Sequence, residues 1–203
     1  PSRFPVDLID TIKNTENICK YLDMPVQHIS DNVLKSMRRG ITNKTLMGLF
    51  DKLRTEIPGI ALRTTFITGY PDETEQDFQQ LLDFVKEFKF ERLGVFPYSH
   101  EEGTTAFDIP DRIPMKEKLL RQKLLLDVQR ENSLVANRNS IGKNFKVLVD
   151  REEEDYFIGR TYKDAPEIDQ EVYINKNNNI QIGNFSEVKI YDSEEFDLFA
   201  EKV

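Results

Sequence analysis

Cysteine is nearly absent from this chain: 203 residues contain one, Cys19. A lone thiol excludes a cysteine-held iron–sulfur cluster within these residues, because such clusters take several closely spaced thiolates. Cys19 follows Ile18 and lies near Tyr21, so it is expected to be a small buried apolar side chain. One cysteine also fits a reducing compartment. Long apolar runs are missing too: nothing is apolar enough over a sufficient length to span a bilayer, and no segment resembles a signal peptide. The default compartment expected from this is the cytoplasm. Internal repeats and low-complexity tracts are not evident.

What is present changes its pattern once along the chain. Strands are expected near residues 20–26, 60–67 and 92–98, alternating with helices near 31–38, 43–56 and 75–89. That alternation gives βαβ units and a parallel sheet. Thr42 caps the second of these helices, Leu46, Leu49, Phe50 and Leu53 form its apolar side, and Pro58-Gly59 ends it. A linker with two prolines, Asp108 to Pro114, leads into a long helix from about Met115 to Arg138, whose Leu120, Leu124, Val128 and Val135 are expected to form its packing stripe. After Gly142 short alternating strands take over, near 145–149, 156–161, 171–174, 187–191 and 195–200. Five such strands with turn-rich joints suggest a small antiparallel barrel with Val147/Val149, Val172/Ile174, Val188/Ile190 and Phe196/Leu198 pointing inward. The expected domains are therefore 1–142 and 143–203.

Chemistry concentrates in residues 60–80, IALRTTFITGYPDETEQDFQQ. An apolar strand, Ile60 to Ile67, is interrupted only by Arg63, Thr64 and Thr65 and suits a strand covered on both faces. It enters the turn Thr68-Gly69-Tyr70-Pro71 and then a helix that Thr74, Glu75 and Asp77 start well. Arg63 and Thr65 share one face by the period of two. A buried Arg63 needs an anion, which a ligand carboxylate or a neighbouring side chain such as Asp23 would supply.

The segment TTFITGYPDETEQDF, residues 64–78, resembles the strand-turn-helix of radical S-adenosylmethionine methylthiotransferases. The resemblance extends to NICKYLDMPVQHISDNVLKSMRRG (17–40), to GVFPYSHEEGTTA (94–106) and to GRTYKDAPEID (159–169), which looks like the TRAM domain of that family. It implies an α/β fold: the C-terminal half of a radical SAM (β/α) partial barrel, then a small OB-like TRAM barrel. It also implies that Gln27, Arg63, Thr65, Gly69 and Glu73 lie in the S-adenosylmethionine region, although Glu73 alternatively just decorates the helix start. His28 fits a hydrogen-bonded structural side chain better than a catalyst, and Tyr98 and Ser99 end the next strand with His100 in the loop, a position open to a role on the active face. Gln27-His28 and the Glu101-Glu102-Gly103-Thr104 loop resemble the branch that methylthiolates an aspartate of small-subunit ribosomal protein twelve. Asp72 stands where the family commonly has Gly, a position where a positive backbone angle would suit Asp better than most residues.

In that family a reduced four-iron cluster cleaves the cofactor to a 5′-deoxyadenosyl radical that takes hydrogen from the aspartate β-carbon, and a second four-iron cluster assists addition of the methylthio group. The chain has no ligands for either cluster, so the resemblance implies a C-terminal fragment, inactive alone, with no catalytic or metal residues of its own. Half a barrel would expose the edge of its first strand, Tyr21 to Val26, to aggregation or dimerisation. Charge bears on the partner: residues 143–203 hold 8 Lys plus Arg against 15 Asp plus Glu, while residues 1–142 hold 20 against 21. An acidic barrel suits a basic ribosomal protein and is the poorer fit for RNA. A transfer-RNA methylthiotransferase and a non-catalytic ribosome-binding adaptor are the alternatives.

Overall fold

A computed structural model of the chain describes residues 4–5, 7–176 and 179–203. They form two compact units, Pro1–Gln129 and Arg130–Val203. The first unit is built from α1 (Asp7–Asn14), β1 (Tyr21–Asp23), α2 (Asp31–Ser36), α3 (Asn43–Glu56), β2 (Ala61–Thr68), α4 (Glu75–Phe88), β3 (Arg92–Pro97) and the first part of α5 (Met115–Arg138). The strands form one parallel sheet in the order β1-β2-β3. β1 is an edge, as expected, but is short.

The helices arise from local signals. Thr42 accepts a hydrogen bond from the Thr45 N–H at the start of α3. At α4, Thr74 and Asp77 form a reciprocal capping box that satisfies two free N–H groups. Leu46, Phe50 and Leu53 of α3 and Phe78, Leu81 and Val85 of α4 are buried with Leu62 and Phe66 of β2 in one core. α1 is only eight residues long and carries two buried apolar residues, Ile9 and Ile12, too short a stretch to announce a helix.

One expectation for β2 is corrected. The strand is covered on the Leu62, Thr64, Phe66 and Thr68 face, whereas Arg63, Thr65 and Ile67 are only half-buried. Their register partners Asp23, Gly94 and Phe96 share that open face, Phe96 being 60% exposed. Cys19 is likewise exposed, and its neighbour Ile18 is too, so the thiol takes no part in a core.

The expected stripe on α5 is also corrected. Leu120, Leu124 and Val135 are exposed and Val128 is half-buried, while Lys118, Arg121, Leu125, Gln129, Ser133 and Asn137 are the buried positions. Leucines occupy positions 119, 120, 124, 125 and 126, so they surround the helix and select no face. Acceptors select it instead. Lys118 Nζ donates to Tyr98 O at 3.3 Å, Gln122 Nε2 to Val95 O at 2.7 Å and Gln129 Nε2 to Phe90 O at 3.0 Å. Carbonyls in and around β3 thereby gain the partners that burial demands.

The second unit opens with the last turns of α5, where Asn137 Nδ2 donates to the carbonyls of Glu194 and Glu195. β4 (Asn144–Glu152), β5 (Tyr156–Arg160), β6 (Glu171–Asn175), β7 (Phe185–Ser193) and β8 (Asp197–Lys202) then close a barrel in the order β4-β5-β6-β8-β7. All neighbours are antiparallel except β6 and β8, which run parallel, the arrangement of a five-stranded Greek-key barrel. Val147, Val149, Val172, Ile174, Val188, Ile190, Leu198 and Ala200 fill it. Phe196, expected inside, is 53% exposed because it precedes β8 and is not held by the strand's alternation.

Candidate cofactor site

Strand β1 does not continue regularly to the end of β2. Its extension reaches Gln27, whose backbone is left-handed (φ 72°) and makes an isolated parallel bridge to Phe66. The Gln27 N–H donates to Thr65 O at 2.9 Å, and its carbonyl accepts from the Ile67 N–H at 2.8 Å. A non-glycine residue in this region stores about 1–3 kcal/mol of strain, a feature that clusters at ligand sites. Gln27 is half-buried there, beside Thr65.

Arg63 finds its anion in Asp23, with Nη1 to Oδ2 at 2.8 Å. Asp23, Arg63 and Thr65 therefore line one polar open face next to Gln27. Gly94 keeps that face open: a Cβ there would lie 3.4 Å from Thr65 Oγ1.

Gly69 and Glu73, expected at the same place, lie instead in a buried polar knot at the end of β2. The Gly69 N–H donates to Glu73 Oε2 at 2.8 Å, and Glu73 Oε1 meets Arg121 Nη1 at 2.7 Å. Arg121 also reaches Glu75 and Glu117 at 3.0 Å and lies 5.2 Å from the centre of the Phe78 ring. Burial raises the Glu73 carboxyl above its ordinary range, against the pull of Arg121 and of the Gly69 and Tyr70 backbone. Gly69 has φ +72°, and a Cβ on it would lie 2.9 Å from Lys118 Cβ and closer still to Lys118 Cγ. Its missing side chain makes room for the Lys118 stem.

His28 completes the knot. Its Nδ1 accepts from the Ser30 N–H at 3.0 Å, so the ring proton sits on Nε2, which lies 3.8 Å from Glu73 Oε2 and is buried without a hydrogen-bond partner. Burial lowers its pKa to about 4, outweighing the raising pull of Asp77 and aided by a smaller push from Arg121. The side chain is a neutral structural group. Asp77 is the next member: burial raises its pKa, but hydrogen bonds from Ser30, Thr74 and Asn32 prevail and hold it at about 2. Asp72 has no positive φ; its carboxylate accepts from Ser36 Oγ and its carbonyl from Asn32 Nδ2.

Sequence reasoning missed Lys118, Arg121 and Ser30, and read Asp77 only as a helix start. Lys118 is 1% exposed, with Nζ 2.5 Å from Asp111 Oδ2 and 4.8 Å from the centre of the Tyr98 ring. The available signal was two cations three residues apart in a leucine-rich helix, opposite the acidic start of α4. Among the described residues no group of three or more His, Cys, Asp or Glu could hold a metal ion. The donor set does not fit an iron–sulfur cluster. The polar face around Arg63, Thr65 and Gln27 does fit a hydrogen-bonding ligand.

Comparison with known proteins places this geometry in a class. Residues 1–85 match the radical SAM superfamily and residues 141–203 match the TRAM domain. The chain is thus a radical SAM segment joined to a TRAM barrel, and it belongs to the radical SAM methylthiotransferase family. It is 48% identical to the ribosomal protein uS12 methylthiotransferase RimO of Parabacteroides distasonis, over 98% of this chain and 46% of that protein. Against RimO of Cytophaga hutchinsonii the identity is 50%, over 100% of this chain and 47% of that protein. The chain spans about half the length of these relatives. Among solved structures, the radical SAM enzyme coproporphyrinogen III oxidase (HemN) of Escherichia coli matches with a TM-score of 0.54 at 20% identity, over 79% of this chain and 42% of that one, a likeness of fold alone.

Proposed function

We propose that this chain is part of a methylthiotransferase that adds a methylthio group to the β-carbon of an aspartate in ribosomal protein uS12. The observation that carries the reading is its 43–50% identity to RimO proteins over at least 98% of its length. S-adenosylmethionine and two four-iron clusters supply the radical chemistry, with cluster ligands outside these residues; the chain alone is inactive. Its own residues bind and orient. Gln27, Arg63 and Thr65 offer hydrogen bonds to the nucleoside part of the cofactor, and Gly69 and Glu73 act one step behind, shaping the turn at the end of β2. Residues 143–203 dock the substrate, and the compartment is the cytoplasm.

Two measurements test this. A protein carrying this sequence within a full-length enzyme, with its clusters reconstituted, is expected to leave a methylthio group on uS12 detectable by mass spectrometry; modification of transfer RNA and not of uS12 would refute the reading. Calorimetry of this chain with uS12 and, separately, with transfer RNA at two salt concentrations is expected to show selective binding of the protein. Selective RNA binding with steep salt dependence would assign the barrel to the other substrate class.

A further inference from the structure

The outer face of the second unit carries an uninterrupted row of aromatic side chains. β5, β6, β8 and β7 are successive neighbours in the barrel, and they contribute Tyr156, Tyr173, Phe199 and Tyr191. On β6 and β8 the residues on either side of Tyr173 and Phe199, namely Val172, Ile174, Leu198 and Ala200, point into the core, so these two rings point out. Tyr173 and Phe199 are register partners stacked at 5.4 Å with 27° between their planes, and Tyr156 stands edge-on to Tyr173 at 5.7 Å. Tyr191 sits at the bulge of β7, 42% exposed, with its hydroxyl 3.1 Å from Oδ1 of Asn175, the register partner of Tyr156.

Carboxylates flank the row. Glu171 and Asp197 precede Tyr173 and Phe199 by two positions on the same outer faces, and Asp192 is the β7 partner of Phe199. Arg151 answers Glu171 and Glu153 through a fork at 2.5 and 2.9 Å to the former and one bond at 2.8 Å to the latter. The acid–base count of residues 143–203 leaves the unit strongly negative.

Aromatic faces attract cations, arginine above all, and surrounding carboxylates strengthen that attraction. Bases also stack on such a strand face, but phosphates would meet the carboxylates. We infer that the row Tyr156–Tyr173–Phe199–Tyr191 is the surface on which the barrel takes an arginine- or lysine-rich segment of its protein partner, the cationic side chains lying on the rings and pairing with Asp192 and Asp197. This rests on the proposal that the barrel docks uS12 and assigns the face that does it.

Calorimetric titration of purified uS12 into this chain tests the inference. Tyr173→Leu and Tyr191→Ala are each expected to weaken binding about tenfold. Phe185→Ala is expected to change nothing, because this 63%-exposed ring lies six residues along β7 from Tyr191, roughly 20 Å away. Tyr191 is at the surface, so its variant carries the test if Tyr173→Leu fails to fold. Unchanged affinity in a folded Tyr191→Ala protein, while the parent chain binds, overturns the assignment of the face and leaves the docking proposal standing. A parent chain that does not bind uS12 removes both. Transfer-RNA binding that depends on Tyr191 and collapses with salt overturns the class of partner.

Discussion

Replacing Gly69 with alanine tests whether the turn after β2 is shaped by a lysine of α5. The left-handed backbone at φ +72° costs an alanine about 1–2 kcal/mol. The new methyl group would also press on Lys118, with 2.9 Å to its Cβ and less to its Cγ. Crowding of this kind in a packed site adds about 1–3 kcal/mol. Lys118 cannot yield easily: its Nζ is held by Asp111 and the Tyr98 carbonyl, and its own carbonyl accepts from Thr68 Oγ1 at 3.1 Å. Gly69→Ala should therefore cost about 2–5 kcal/mol in the parent chain and less in a Lys118→Ala background, which removes the Cγ contact but keeps the Cβ, so that the loss falls toward the backbone share of about 1–2 kcal/mol. Urea unfolding followed by far-UV circular dichroism is the assay, since the helices lie within residues 7–138 and report mainly on the first unit. Equal losses in both backgrounds would refute the idea that the glycine exists to admit the lysine stem.

Three further outcomes follow from the same geometry. His28 has a folded pKa of about 4 against an ordinary 6.5, so the unfolded chain takes up the proton first; stability from this group is complete above pH 6.5 and falls by about 3 kcal/mol as the pH drops to 4. Asp77 continues the loss from about pH 3.8 to 2, whereas Glu73, raised by burial, works in the opposite sense, so the informative quantity is the difference between the parent and His28→Asn, which should change with pH between 6.5 and 4 and level off below pH 4. Arg121→Met strands the buried Glu73 carboxylate and should cost about 3–5 kcal/mol near neutral pH, less in acid; a pH-independent loss would show that packing, not charge, dominates. Gly159→Ala should abolish the barrel's cooperative melt while sparing the first unit, because a Cβ there lies 2.6 Å from Val147 Cγ1 and meets the Leu148 backbone, which cannot rotate away; an intact second transition by calorimetry would count against it.

What the sequence revealed and what it hid divide along the range of the interactions. The capping box of α4 joins residues three apart, so Thr74 and Asp77 disclosed it without tertiary knowledge. The barrel's alternation on β4, β6 and β7 was equally local and held until β8, where Phe196 kept the right parity but fell before the strand began. The knot around Glu73 had no such signal. His28 and Arg121 lie 45 and 48 positions from it, and each alone looks like an ordinary polar residue. Family resemblance singled out Gly69 and Glu73; in the structure they are bonded to each other, Glu73 also pairs with Arg121, and Gly69 lies against Lys118.

Helix α5 shows why a hydrophobic stripe can mislead at this position. A helix packed against the flank of a sheet meets apolar side chains, and its leucines mark the buried face. A helix packed near strand ends also meets carbonyls that have lost ladder partners, together with any acid in the following turn. Leucine cannot satisfy those groups, whereas Lys118, Arg121, Gln122 and Gln129 do so along one side of the helix at spacings of three and four. Leu125 falls on the same side and is fully buried, while Leu119, Leu120 and Leu124 remain exposed. In this setting the periodicity of long donors, not of leucines, is the signal for the inner face. It puts Arg121 on the inner side of α5, where the structure brings it to Glu73.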